Sequence, residues 1–322
     1  MVHMMKPTEV FKSDYPEIKK FTDGQLNVFW TAHEIQVEKD VHDVLTNLTP
    51  AERHGVFTVL KLFTLYEVKA GADYWTTKFM NTFQHHEFQA MASVFGMFEL
   101  AVHKPFYNKI NELLNATDET FYTNYHQDVV LSERMETINS IVANEDVLVS
   151  TGAFTLVEGA ILYSSFAFLK HFQSLGKNKL LNVVRGINFS VRDENIHAMA
   201  GAWVFNTLKK QMGVELTEPQ KKQIYHVARL LLQEEYAIIR EIFSVGEIEG
   251  IDSLNMSMFV GHRINHCLNA IGLDSIVGYT EENNIAPWFY QGINNYQFND
   301  FFSGQGREYS RNWDEKGFVW NE

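Results

Sequence analysis

The sequence predicts an all-α protein: one bundle of long helices joined by short polar links. Three observations carry that reading. Only 6 prolines occur in 322 residues, so the main helix breaker is scarce. No alternating apolar run ends in an Asn-Gly or Asp-Gly turn, so strand signals are scarce too. Capping residues and first-position prolines instead mark one helix start after another.

The elements follow in order. Thr22 and Asp23 are read as capping a short helix over 25–32. Thr49-Pro50 opens a long helix to about Met80, with proline at its first position. A second runs over 85–114. Thr117, with Glu119 nearby, begins a third to about Val142. Asn144 or Glu145 begins an apolar helix through Lys170. Residues 178–212 form the next, and Thr217-Glu218-Pro219 opens another to about Val245. The last clear helix spans 253–271. These elements assign 1–300 to one helical domain. Residues 301–322 change character: glycine and charge argue against a packed helix, and Trp313, Phe318 and Trp320 argue against a purely solvated tail. Such a segment is read as a flexible tail that orders on a partner.

Composition narrows the function. Apolar residues make up 45% and charged residues 21%, which excludes wholesale disorder. A net charge of −13 argues against nucleic acid or an anionic membrane as partner. The lone Cys267 excludes an intramolecular disulfide and any multi-cysteine metal site, and fits a reducing cytoplasm. Residues 1–15 lack the apolar core of a signal peptide. The longest apolar run, 152–169, is interrupted by Glu158, so no membrane span is expected.

An acid in so apolar a helix is the first sign of chemistry. Glu194-Asn-Ile-His197 places a carboxylate and an imidazole three apart, on one helical face. Glu67 is a second acid among apolar neighbours, followed by Glu99 and His103. The same 36-residue interval separates Glu158 from Glu194 and Glu67 from His103. A lone Glu followed by a Glu/His pair therefore occurs twice. Four-helix carboxylate proteins hold two metal ions with this donor set, and oxygen plus imidazole suits iron or manganese. Any one such pair is commonly a solvated face. Buried unpaired carboxylates are costly, however, and the whole set calls for a metal. One member departs from the pattern. Glu99 and His103 are four apart, with Leu100 at the expected acid position. Either the four-residue spacing still shares a face, or a π-bulge absorbs the extra residue.

The chain resembles the small, radical-generating subunit of class I ribonucleotide reductase. The resemblance runs from about Leu26 to the tail. It rests on Phe29-Trp-Thr-Ala-His-Glu-Ile35 with Asp40, on Leu60-Lys-Leu-Phe-Thr-Leu-Tyr-Glu67, on His103 with Tyr107, on Glu158, and on Arg192-Asp-Glu-Asn-Ile-His197. It implies a ferritin-like bundle with a dinuclear carboxylate centre of two iron or two manganese ions. Glu67, Glu99 and His103 would hold one ion; Glu158, Glu194 and His197 would hold the other. Many family members have Asp where this chain has Glu67. The resemblance further implies a tyrosyl radical on Tyr107, one turn beyond His103, with Phe106 as the competing ring. Asp193 and Trp30 match the family's route for moving the radical. Tyr309 matches its C-terminal tyrosine, and the final residues look like the peptide that docks on the large subunit. A homodimer is implied, as is a flavodoxin-like activator if manganese is used. With one cysteine, the chain lacks the dithiol that reduces a ribonucleotide, which independently requires a partner. The alternatives are a desaturase-like diiron oxidase of the same fold and an iron-storage protein. The first gives Trp30, Asp193 and the aromatic tail no reason to occur together, and the second would need a cage-forming surface and no tyrosine beside the metal.

Overall fold

The computed structural model describes residues 2–8, 10–114, 128–278 and 283–294. Pro16 sets the first helical position of α1 (Pro16–Asn27), which buries Ile18, Phe21 and Gln25 on one face. This helix starts and ends earlier than Thr22 and Asp23 suggest, because proline fixes the entry and Ile18 and Phe21 supply the apolar stripe. Trp30 consequently sits in the link after α1 rather than on a helix. Thr49 caps α2 (Pro50–Val68) in a reciprocal box with Glu52. The chain then widens into a π-helical segment, Lys69–Phe79, before a last turn at Met80–Thr82.

After α3 (His86–Phe98) a second π-helical turn, Glu99–His103, leads into α4 (Lys104–Leu113). The two widened stretches face each other. A Cβ on Gly71 would lie 2.7 Å from Leu100 Cγ and 2.8 Å from Glu99 Cβ, so only glycine allows this approach. Asp128 caps α5 (Val129–Ala143), and Asp146 caps α6 (Val147–Ala160). The expected start at Thr117 lies outside the described residues. The apolar helix expected through Lys170 is broken after Ala160 and resumes as α7 (Tyr163–Lys170). Asp40 accepts hydrogen bonds from Val183 N and Asn182 Nδ2 at the start of α8 (Leu181–Met212), which ends at Gly213 with φ +66°. A capping box at Thr217 opens α9 (Glu218–Ile242), and Asp252 caps α10 (Ser253–Ala270). Last comes α11 (Ala286–Asn294), an element the sequence reading did not single out.

The central helix is α6, whose residues from Leu148 to Ala160 are all buried. It lies against α5, α8, α9 and α10. The stretch Val147–Gln173 is long and apolar enough to cross a membrane, yet 94% of its most apolar window is buried inside the bundle. Among the described residues the β structure is one isolated bridge, Ile248 to Ile251. The all-α expectation therefore holds. The described residues all fall within the expected 1–300 domain, and the tail 301–322 lies outside them.

Candidate metal centre

Four helical stretches deliver four carboxylates and two imidazoles to one closed point. Glu67 comes from the end of α2, Glu99 and His103 from the π turn, Glu158 from α6, and Glu194 and His197 from α8. Every one of these side chains is 0–2% exposed. The π turn resolves the spacing anomaly. Widening by one residue lets Glu99 and His103 face the same point, with Glu99 Oε2 3.0 Å from His103 Nδ1.

Two overlapping groups result. One is Glu67, Glu99, His103 and Glu194, and the other is Glu99, Glu158, Glu194 and His197. Within each, the potential ligand atoms lie within 4.8 Å of one another. His103 Nδ1 stands 3.5 Å from Glu67 and 3.3 Å from Glu194. His197 Nδ1 stands 2.8 Å from Glu99, 3.4 Å from Glu158 and 3.5 Å from Glu194. Glu99 and Glu194 belong to both groups and lie between the two histidines.

The donor set fits metal ions. Both oxygens of Glu67 and of Glu194, Glu99 Oε1, Glu158 Oε2 and both ring nitrogens of His197 are buried without a hydrogen-bond partner. Native proteins rarely leave buried polar atoms so, because each costs about 1–3 kcal/mol and more if charged. Among the described residues no arginine or lysine pairs with these six side chains, and their ligand atoms converge. Divalent cations satisfy this arrangement and apolar packing does not.

The carboxylates and imidazoles act strongly on one another. Burial, then the neighbouring Glu99 charge, raises Glu67 well above the usual carboxylate range. Burial, then Glu194, does the same to Glu158. Burial works against the charge of Glu99, yet protonated Glu67 and the two imidazoles beside it hold its carboxyl low. Burial also opposes charge on His103 and His197, but Glu99 and the other carboxylates outweigh it and raise both. Ligands bind metal in their deprotonated form, so metal uptake is expected to release protons from this cluster. Mn(II) affinity is expected to fall as pH falls. Titration calorimetry in buffers of different ionisation enthalpy checks this: proton release appears as a buffer-dependent heat.

A polar chain leads outward from the cluster. His103 Nε2 lies 3.1 Å from Asp193 Oδ2, and Trp30 Nε1 donates to that same oxygen at 2.7 Å. Asp193 is fully buried; burial works against its charge, but the Arg192 charge, His103 and the Trp30 N–H together outweigh it and hold its carboxyl below the usual range. Arg192 in turn donates to the Val28 carbonyl at 2.8 Å, at the start of the link that carries Trp30. The Trp30 ring stacks near His103 with centroids 5.9 Å apart. On the inner side, Tyr107 is fully buried, with the Ser190 hydroxyl beside its phenol. Its ring stacks on Phe63 at 4.5 Å, and Phe63 stacks on Phe166. Burial and then the Glu67 charge keep its phenol protonated. Phe106 points elsewhere, against Trp30 and Gly186.

Nine of the ten residues singled out from the sequence thus converge, and Tyr309 lies outside the described residues. Two further residues belong to the site. Trp75 Nε1 donates to Glu158 Oε1 at 2.9 Å. Tyr66 is fully buried with an unpartnered hydroxyl, and after burial its phenol feels Glu158, Glu194, Glu99 and Glu67 in that order. The sequence signalled neither: Trp75 reaches Glu158 from a π-helical segment, and Tyr66 reads as one more aromatic in an apolar helix.

Fold and site together define a helical carboxylate–histidine protein with a preformed pocket for two metal ions. The model of the ribonucleotide reductase small chain family matches residues 7–284. The chain belongs to that family. It is accordingly the small component of a ribonucleoside-diphosphate reductase, an oxidoreductase that works with a large subunit. A probable ribonucleoside-diphosphate reductase small subunit of Invertebrate iridescent virus 3 is 25% identical, covering 96% of this chain and 86% of its own. The small subunit of Dictyostelium discoideum is 22% identical, with 94% and 86% covered. Among solved structures, a putative class I ribonucleotide reductase from Bacillus halodurans shares the fold with a TM-score of 0.77. It is 20% identical and covers 86% of this chain and 100% of its own. Streptococcus sanguinis dimanganese(II)-NrdF gives a TM-score of 0.75 at 21% identity, covering 89% and 99%.

Proposed function

We propose that the chain generates and exports the radical on which its large subunit depends. Glu67, Glu99 and His103 would hold one metal ion; Glu158, Glu194 and His197 would hold the other. Glu99 and Glu194 are close enough to both positions to be shared. When bound, two iron ions with oxygen, or two manganese ions with an oxidant from a flavodoxin-like activator, would supply a one-electron oxidant. The dimanganese name of one structural neighbour keeps manganese beside iron as a candidate.

The remaining steps belong to this chain's residues. Tyr107 gives up an electron together with its phenolic proton, because burial disfavours a phenolate. Glu67 is the carboxylate that acts most on this phenol, and once deprotonated by holding a metal ion it would accept that proton. Phe63 and Phe166 wall the ring off from water, which protects a radical. Asp193 fixes the imidazole of His103 through its outer nitrogen and ties it to the indole of Trp30. The hole then passes through Trp30 and on to Tyr309 in the tail 301–322, which docks on the large subunit. The protein would act as a cytoplasmic homodimer.

The observation that carries this reading is the set of orphaned carboxylate and imidazole atoms around one closed point, beside a buried tyrosine. Electron paramagnetic resonance tests it. Metal-free protein reloaded with Fe(II) and exposed to oxygen is expected to give a structured tyrosyl signal, absent in Tyr107→Phe. Repeating the loading with Mn(II) and an oxidant separates the two metals. An organic radical that survives Tyr107→Phe unchanged would move the oxidised residue elsewhere.

A further inference from the structure

The helix that carries Glu158 breaks two residues later, and a buried arginine holds the break. Helix-end carbonyls lack donors from a following turn. Arg263 Nε and Nη2 both donate to the Gly159 carbonyl, at 3.0 and 2.8 Å. Its third nitrogen, Nη1, donates to the Tyr290 hydroxyl of α11 at 3.1 Å. The guanidinium lies 4.0 Å from the Tyr163 ring centroid, on the far side of the break. Phe289, the residue before Tyr290, packs on Tyr163 and Phe259. Gly159 itself is wedged: a Cβ there would meet Cys267 Sγ at 2.3 Å and Ala198 Cβ at 3.2 Å. Cys267 is one turn from Arg263, and Ala198 follows His197. One peptide thus joins Glu158 to α10 and to the His197 turn, and Arg263 joins that peptide to α11.

We propose that Arg263 is a positioning residue for Glu158 and that Tyr290 holds it in place, so that seating of α11 and metal loading are coupled. The proposal rests on Glu158 being a metal ligand. A fixed, bidentate grip on the Gly159 carbonyl sets the pitch of the turn from which Glu158 projects. Losing that grip lets the carboxylate drift, which weakens binding at its own ion and leaves the other untouched. Coupling is reciprocal: a metal ion that fixes Glu158 also fixes Arg263, and hence α11. Beyond α11 the chain runs into the tail expected to meet the large subunit, so occupancy of the centre would be sensed where the tail departs.

The test uses the full-length metal-free protein titrated with Mn(II). Free Mn(II) is read by electron paramagnetic resonance, and amide exchange across 286–294 by mass spectrometry. Arg263→Gln is expected to weaken one of two Mn(II) equivalents by ~10-fold, the lower end for losing an outer partner of a ligand. Tyr290→Phe, which removes one oxygen only, weakens the same equivalent by a smaller factor. Mn(II) slows exchange across 286–294 in the wild type and no longer does so in either variant. Unchanged affinities in folded Arg263→Gln, equal losses at both equivalents, or exchange indifferent to Mn(II) would each overturn the proposal. Should Arg263→Gln not fold, Tyr290→Phe decides alone. Glu158→Gln separates the layers: wild-type binding there overturns the ligand reading, whereas loss there with wild-type binding in Arg263→Gln overturns only the coupling.

Discussion

Glu194→Ala protein is expected to retain neither metal ion, whereas Glu158→Ala protein retains one. The difference follows from which donors are shared. Glu194 offers Oε1 toward His103 and Oε2 toward His197, at 3.3 and 3.5 Å. It belongs to both donor groups, while Glu158 belongs to one. Removing Glu194 also leaves Glu99 as the only carboxylate common to both positions. Hard divalent ions depend on the count of charged oxygen ligands. Loading with Fe(II) or Mn(II), desalting and counting metal per chain reads the result directly. The stoichiometry should fall from about two to about zero in the first variant and to about one in the second. Equal losses in the two variants would mean that Glu194 does not bridge.

Asp193→Asn is the sharper test of export. The change keeps the shape and removes the charge. Asp193 Oδ2 now accepts from Trp30 and faces His103 Nε2 at the same time. An amide would put an N–H toward one of them or lose an acceptor lone pair, and it would leave Arg192 without its counter-charge. Partners of this kind are worth ~10–100-fold in metal affinity or activity. Turnover with the large subunit should therefore fall by at least ~10-fold, while the Tyr107 radical still forms. Freeze-quenched radical yield and steady-state turnover, measured on one preparation, separate the two. A turnover loss matched by an equal loss of radical would make Asp193 a support of the metal site rather than part of the route.

Much of this site was legible in the chain, for a physical reason. Metal ligands at a helical period leave a pattern that side-chain chemistry makes rare, and Glu194 with His197 is such a pattern. Glu158 stood out because a charge in an apolar run has no cheap explanation. The four-residue gap between Glu99 and His103 pointed to two geometries, and only the backbone could choose the π turn. Trp75 stayed hidden because its reach to Glu158 depends on Lys69–Phe79 being wound more widely than an α-helix. Arg134 stayed hidden as well. It is fully buried, bonds Glu234 at 2.9 Å and Glu235 at 2.6 Å, and reaches the Ile161 carbonyl at the break. Those partners lie about a hundred residues on in sequence, beyond any local period. Helix edges failed for a simpler reason. Pro16 competes as a start signal with Asp23, and tertiary burial of Ile18 and Phe21 decides.

The inventory of charges around the centre has one more consequence. Four carboxylates carry four negative charges, two divalent ions carry four positive ones, and metal-bound imidazoles are neutral. Asp193 and Arg192 cancel each other at 3.4 Å. On the proposed ligand set the cavity is electroneutral only in its reduced, divalent state. Every further unit of positive charge must then be borne inside a medium that solvates charge poorly. Such an enclosure tilts the redox balance toward pulling an electron inward, and buried Tyr107 is the phenol proposed to supply one.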